Sequence, residues 1–293
     1  MTRNASITIG PDSGHALTCK RFGFGTMRLT GEHIYGEPPN RAEALQILRT
    51  AVDKGIRFLD TADYYGEDVT NRLIAEALYP YPQDLIICTK VGAMRKPDKG
   101  WYRFDRPEDL RKSIDNNLRT LKLEQISLVH FRVMPGTSTP FEDSMGAMFD
   151  MQKEGKILHV GVSCVTPGEL ETALSMGNIA TVENAFGHGQ RTTFLSYGSE
   201  NRGMEEVLDI CTKKNIAMVP YWSLQNSLPK TESNIATIAK KYNATAAQIN
   251  LAWLLHFHPL MLPIPGTSKL AHFEENLKAF DIGLTREDMY FLA

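Results

Sequence analysis

The chain has 293 residues, 42% hydrophobic and 23% charged, with 32 basic against 34 acidic side chains and a net charge of −2. That length buries a core without staples and suits one α/β barrel of ~250 residues better than a single sandwich. The near-balance of charge offers no surface for nucleic acid or a bilayer, and the densest basic run, 94–99, is broken by Pro97 and Asp98.

Cys19, Cys88, Cys164 and Cys211 are far apart and include no Cys-x-x-Cys pair. The spacing argues against a metal site or a disulfide framework and suits a reducing compartment. The first residues carry no apolar signal segment, and no apolar run approaches ~18 residues. The expectation is a cytoplasmic protein with one domain over 1–293 and no membrane partner. Nothing in the pattern fixes an oligomeric state.

Residues 5–9 and 16–20 flank the turn-rich 10–14 and predict a leading hairpin over 5–20. A short strand from Arg21 runs into a glycine-containing turn, then a polar loop, 30–39, with His33 and Tyr35. Asn40 caps a helix whose Ala44, Ile47, Leu48, Ala51 and Val52 share one face. A strand over 56–60 ends on Asp60, and a helix covers 69–78. The strand over 84–90 ends on Lys90 and is followed by an expected loop, 91–105. Pro107 opens a helix with Leu110, Ile114, Leu118 and Leu121 buried.

The alternation continues: strand 126–133, helix 141–153, strand 157–162, a helix opened by the capping box Thr166 to Glu169, and strand 180–184. A polar Gly-rich loop, 187–203, precedes helix 204–214 and strand 216–221. Helices over 232–242 and 245–256, a short strand at 260–263, a helix over 269–280 and a terminal helix from Thr285 complete the chain. Eight strand-then-helix units imply a closed parallel (β/α)8 TIM barrel, an α/β fold with chemistry at the C-terminal strand ends. Asp60, Tyr65, Lys90, Arg132, Ser163, Glu183 and Tyr221 all end or follow strands.

Asp60, Tyr65 and Lys90 form a set for proton transfer. A free phenol has a pKa near ~10, and a neighbouring ammonium lowers it. Asp60 anchors Lys90, Lys90 tunes Tyr65, and Tyr65 protonates a carbonyl oxygen as hydride reaches carbon. A structural Asp–Lys pair beside a packed tyrosine stays open as the alternative.

Phe58-Leu-Asp-Thr-Ala-Asp-Tyr-Tyr-Gly66 resembles a signature of the aldo-keto reductase superfamily, with Lys90 at its catalytic lysine. Val160-Gly-Val-Ser163 resembles the family's nicotinamide strand, and 262–269 with Asn276 its signature near the C-terminus. The resemblance covers about 22–280. It implies NADP(H) bound without a Gly-x-Gly-x-x-Gly loop. Met27, Asp60, Ser163, Cys164 and Glu183 would border the nicotinamide, with Tyr221 stacked beneath it. Trp222, Ser223, Leu224 and Gln225 would border the pyrophosphate. Gly266, Thr267, Ser268 and Lys269 would meet the 2′-phosphate with His272, which stands where arginine is frequent. Glu275 and Asn276 would reach the adenine. Thr267 and Ser268 also read as plain helix caps.

The chain departs from the family pattern where its catalytic histidine usually stands. Arg132 falls there, with His130 on the same strand face about 6.6 Å deeper. Arginine stays protonated, so it is read as a polarising group or an anchor for an anionic substituent. Cys164 replaces the usual asparagine and Glu183 the usual glutamine. A glutamate can accept from the carboxamide NH2 but cannot donate to its oxygen. These changes resemble the pyridoxal reductase-like branch. His33, Tyr35, Trp101, Tyr102 and Met134, with Arg132 and the 187–203 loop, would wall a small ring-bearing carbonyl substrate. A nucleotide-binding regulatory subunit and non-redox chemistry on the same fold are the competing readings.

Overall fold

The computed structural model describes residues 5–136, 139–188, 204–224 and 234–292. The leading hairpin pairs β1 (Ser6–Ile9) with β2 (Leu17–Lys20), antiparallel, Ile7 opposite Cys19. Alternation of side chains along β1 buries Ile7 and Ile9 and leaves Ser6 exposed. Ile7, Ile9 and Cys19 join Phe58, Ile86 and Leu128 in one apolar cluster. The hairpin thus plugs one end of the barrel, each buried isoleucine contributing about 1.5–3 kcal/mol.

The main sheet takes β3 (Phe24–Gly25), β4 (Phe58–Asp60), β5 (Ile86–Arg95), β7 (Ile126–Arg132), β8 (Ile157–Ser163), β9 (Thr181–Glu183) and β10 (Ala217–Met218) in that spatial order. All these neighbours pair parallel. Residues 260–265 close the ring. Met261 bridges Met218 on one side, and Gly23 and Gly25 donate to the Pro263 and Pro265 carbonyls on the other, at 2.9 and 3.4 Å. Proline lacks an N–H, so this segment serves chiefly as acceptor. The closure is tight: a Cβ on Gly266 would lie 2.4 Å from the Gly25 carbonyl oxygen.

Helices α1 (Arg41–Asp53), α2 (Val69–Leu78), α3 (Pro107–Leu121), α4 (Phe141–Lys153) and α5 (Pro167–Met176) follow strands in turn. Next come α6 (Met204–Lys214), α7 (Asn234–Lys241), α8 (Ala246–Phe257), α9 (Leu270–Leu277) and α10 (Arg286–Phe291). Asn40 caps α1 by accepting from the Glu43 N–H, and Thr166 and Thr245 each form a capping box, as expected. No helix among the described residues is long and apolar enough to cross a membrane.

The expected 91–105 loop is instead largely strand. β5 runs on to Arg95 and pairs antiparallel with β6 (Trp101–Phe104), Arg95 opposite Trp101. The Pro97-Asp-Lys-Gly100 turn reverses the chain, with Asp98 accepting from the Gly100 N–H at 2.8 Å. The arm carries Trp101 back over the mouth. The expected strand over 216–221 is also shorter: ladder pairing stops at Met218, and Tyr221 makes a single bridge to Ala185.

Candidate active site

Parallel register brings the critical strand ends together. Gly25 pairs Asp60, Asp60 pairs Cys88, Lys90 pairs His130, and Ser163 pairs Glu183. The segment after Asp60 is held by a polar network beneath it. The Thr61 hydroxyl donates to Asn71 at 2.9 Å, Asn71 donates to Asn117 at 2.9 Å, and Thr89 donates to Asn117 at 2.7 Å. Sequence reasoning passed over Asn71 and Asn117. The available signal was a polar side chain on the otherwise apolar face of each helix.

Asp63 in this segment is buried and accepts from the Ser113 hydroxyl. Burial pushes its carboxyl up to about 8 against the help of Ser113. The folded chain therefore holds this proton where the unfolded chain, with a carboxyl near ~4, has released it. Stability from this group falls as pH rises from about 4 through 8. Asp63→Asn is expected to raise the melting temperature more at pH 8 than at pH 5, measured by thermal denaturation at both values.

Lys90 is buried, and its ammonium meets three acceptors: the Asp60 carboxylate, the Thr61 carbonyl at 3.2 Å and Glu183 Oε1 at 3.3 Å. Three N–H groups are all an ammonium has. Lys90 therefore reaches Tyr65 through charge, its Nζ lying 5.2 Å from the Tyr65 ring centre. Asp60, Cys88, His130 and Glu183 place ligand-type atoms within 4.8 Å of one another, and the Lys90 ammonium supplies the positive charge among them.

Two carboxylates share this one ammonium and titrate as a pair. Burial, with Glu183 beside it, pushes Asp60 up. Burial would raise Glu183 too, but Lys90 and His130 hold it down at about 2. Lys90 stays charged: burial opposes this, and Asp60 and Glu183 outweigh it.

Tyr65 departs from the sequence expectation. Lys90 does lower its pKa, but burial outweighs Lys90, and Asp60 and Glu183 add to burial; the phenol ends well above its ordinary value. Its proton is thus present throughout the neutral range.

Arg132 ends β7 at the mouth. Its guanidinium carbon lies 5.2 Å from the Trp101 ring centre and 6.0 Å from that of Tyr64. Its buried Nε has no hydrogen-bond partner among the described residues. Tyr64 meets Tyr65 and Trp101 edge-on at 5.3 and 5.5 Å. Met134 and Tyr65 pack in one cluster, with Met27, Ile34, Met94 and Trp101 against it. His33 and Tyr35 lie at its outer edge: the His33 side chain is exposed, and Arg95 donates to the His33 carbonyl at 2.8 Å. Arg95 also lies 4.1 Å from the Trp101 ring centre, tying the β5–β6 arm to this loop. Sequence reasoning missed Arg95 and Tyr64.

Most of the other residues expected at a nucleotide follow the ends of β8 and β10 or lie at and within α9. Ser163 is buried beside Cys164, whose thiol lies 3.3 Å from the Tyr221 hydroxyl. Cys164 and Trp222 both hold positive φ, 61° and 58°, at turns where side chains are rare. Tyr221 and Trp222 meet edge-on, Ser223 is buried, and Leu224 packs against the core. Thr267 accepts from the Lys269 N–H at 3.1 Å, and Ser268 and His272 are exposed. Glu275 accepts from the Thr245 hydroxyl at 2.8 Å, and Asn276 is buried. Gln225 and nearly all of the 187–203 loop lie outside the described residues. Hydroxyl, ammonium and ring donors on these segments fit a dinucleotide, with one conflict at Glu43. This carboxylate sits at the start of α9, accepting from Lys269 Nζ and the Leu270 N–H, each at 3.2 Å.

Residues 21–292 match the model of the Aldo/keto reductase family. The chain is 37% identical over 272 residues to pyridoxine 4-dehydrogenase of Escherichia coli, covering 91% of each. The crystal structure of a thermostable aldo-keto reductase in complex with the inhibitor epalrestat is 30% identical with a TM-score of 0.80, covering 97% of both chains. An aldo/keto reductase from Klebsiella pneumoniae, solved with NADP and acetate, shares the fold at 22% identity and a TM-score of 0.77, covering 99% of this chain and 94% of its own.

Proposed function

The chain belongs to the aldo/keto reductase family, and from that premise we propose that it is an NADP(H)-dependent carbonyl reductase whose proton donor is Tyr65. The observation that carries this reading is the buried Tyr65 ring at the mouth of the barrel, its centre 5.2 Å from the Lys90 ammonium. When bound, the nicotinamide supplies hydride to the carbonyl carbon. Tyr65 gives its proton to the carbonyl oxygen, and the phenolate so formed is stabilised by Lys90 until it recovers a proton from solvent. Asp60 holds Lys90 in place. Ser163, Tyr221, Thr267, Lys269 and Asn276 are the residues that would hold the cofactor, in a site at the strand ends.

The substrate class proposed is a small ring-bearing aldehyde or ketone with an anionic or strongly polar substituent, pyridoxal being one. The aromatic and methionine wall suits a flat ring, and the Arg132 guanidinium suits a negative group beside it. Purified protein with NADPH and a carbonyl panel including pyridoxal tests the reading. NADPH loss stoichiometric with alcohol is expected; cofactor binding with no oxidation by any carbonyl would end it in favour of a regulatory subunit.

The Glu43 carboxylate bears on cofactor choice. It occupies Lys269 and the first turn of α9, where a 2′-phosphate is proposed to lie. Glu43→Gln is expected to tighten NADPH binding about 3-fold, the scale of an exposed charge pair, and to leave NADH unchanged. Fluorescence titration with both nucleotides checks it.

A further inference from the structure

Glu183 is placed to serve a group of the protein. Its two oxygens divide between two partners: Oε1 lies 3.3 Å from Lys90 Nζ and Oε2 lies 2.7 Å from His130 Nδ1. All three residues are buried. A carboxylate only accepts, so Nδ1 carries the imidazole proton, and Nε2 accepts from the Thr181 hydroxyl at 2.6 Å. His130 sits on β7 and both its partners on β9, so the ring must cross β8, which lies between them. Gly161 on β8, the register partner of His130, leaves the opening. A Cβ there would stand 2.3 Å from His130 Cδ2 and 2.7 Å from the Thr181 hydroxyl. The crossing is therefore built into three strands.

We propose that Glu183, braced by His130 through the opening at Gly161, is a positioning residue for the Lys90 ammonium, holding it together with Asp60. This rests on the reading of Tyr65 as the acid. It reassigns Glu183 from the nicotinamide carboxamide to the lysine. Glu183 also adds negative charge beneath the phenol, so the proton on Tyr65 is retained to higher pH than Asp60 and Lys90 alone would allow.

The groups facing this cluster come from every element around it. Asp60 comes from β4, Tyr64 and Tyr65 from the following turn, and Cys88 and Lys90 from β5. His130 and Arg132 come from β7, Cys164 and Tyr221 from the rim beyond β8 and β10. Of these, Lys90 and Arg132 favour phenolate, whereas Asp60 and Glu183 oppose it. Removing the Glu183 charge lets Tyr65 ionise at lower pH.

Glu183→Gln keeps the shape and removes the charge. The expected result is a basic limb of the carbonyl-reduction rate displaced by about one unit to lower pH. NADPH affinity should change less than about 2-fold, the same for NADPH and for its 3-acetylpyridine analogue, which lacks the carboxamide NH2. An unmoved limb, or a change confined to the carboxamide-bearing nucleotide, would overturn the proposal. A measurement on the unaltered chain covers poor folding of the variant: 15N NMR should find the buried His130 protonated at Nδ1, and a bare Nδ1 would overturn the brace. Tyr65→Phe separates the two ideas. Full activity there ends the phenol's role as acid, with the Nδ1 proton and the analogue affinities still deciding Glu183. Lost activity there, with an unmoved limb in Glu183→Gln, ends only the role of Glu183.

Discussion

Tyr65→Phe is expected to lower kcat for carbonyl reduction by roughly 10³-fold, within the 10²–10⁴ that a positioned general acid contributes, while leaving NADPH affinity nearly unchanged. The substitution removes one hydroxyl and keeps the ring. The ring makes the 5.3 Å edge contact with Tyr64 and lies over the Lys90 ammonium, and phenylalanine retains both. A loss of turnover therefore reports the proton and not the packing. Direction matters as well. Because burial holds the phenol above its ordinary pKa, the proton is in place for reduction at neutral pH. Alcohol oxidation instead needs phenolate, so its rate should rise with pH across the range in which reduction is flat. Steady-state rates in both directions, for the unaltered chain and for Tyr65→Phe, check the two statements together. Equal kcat in the variant would show that another group delivers the proton.

Local pattern carried much of this site, and tertiary burial decided what it missed. The barrel was legible because strands and helices alternate with their own periods, and the capping boxes at Thr166 and Thr245 mark two helix starts in four residues each. Asp60 and Arg132 could be placed at the mouth because a strand end is a position in the sequence, whereas Lys90 lies within β5, which runs on to Arg95. The direction of the Tyr65 shift could not be read in this way. Lys90 is visible as a neighbour, but burial comes from the whole surrounding shell and outweighs it. Glu183 shows the same limit laterally. Its partners sit on β5 and β7, and whether it reaches them depends on a missing Cβ at Gly161. The β5–β6 arm is a different kind of miss. Its Pro97-Asp-Lys-Gly100 turn is a hairpin signature, but a barrel strand followed by a helix leaves no regular place for a hairpin. Only the contacts of Trp101 with Arg95 and Arg132 show why the arm folds back.

The same arm makes Arg132 the second decisive residue. Arg132→Met is expected to raise KM for a carbonyl bearing an anionic group by roughly 10- to 100-fold, the worth of one charge-assisted hydrogen bond at about 1.5–3 kcal/mol. A neutral aromatic aldehyde should change by less than about 3-fold, on the same scale. Methionine keeps an unbranched apolar stem against Tyr64 and Trp101, so the wall stays filled. Two facts separate anchoring from support. Among the described residues the buried Arg132 Nε has no hydrogen-bond partner, so the structure leaves one of its donors unused. The guanidinium also remains charged, because arginine keeps its proton at any working pH. It can therefore hold an anion at any working pH but cannot serve as acid or base. If Arg132 instead polarised the reacting carbonyl oxygen, the variant would lose kcat on charged and neutral substrates alike. Matched steady-state kinetics on one charged and one neutral ring aldehyde distinguish the two, and a KM effect confined to the charged substrate would fix Arg132 as the residue that selects it.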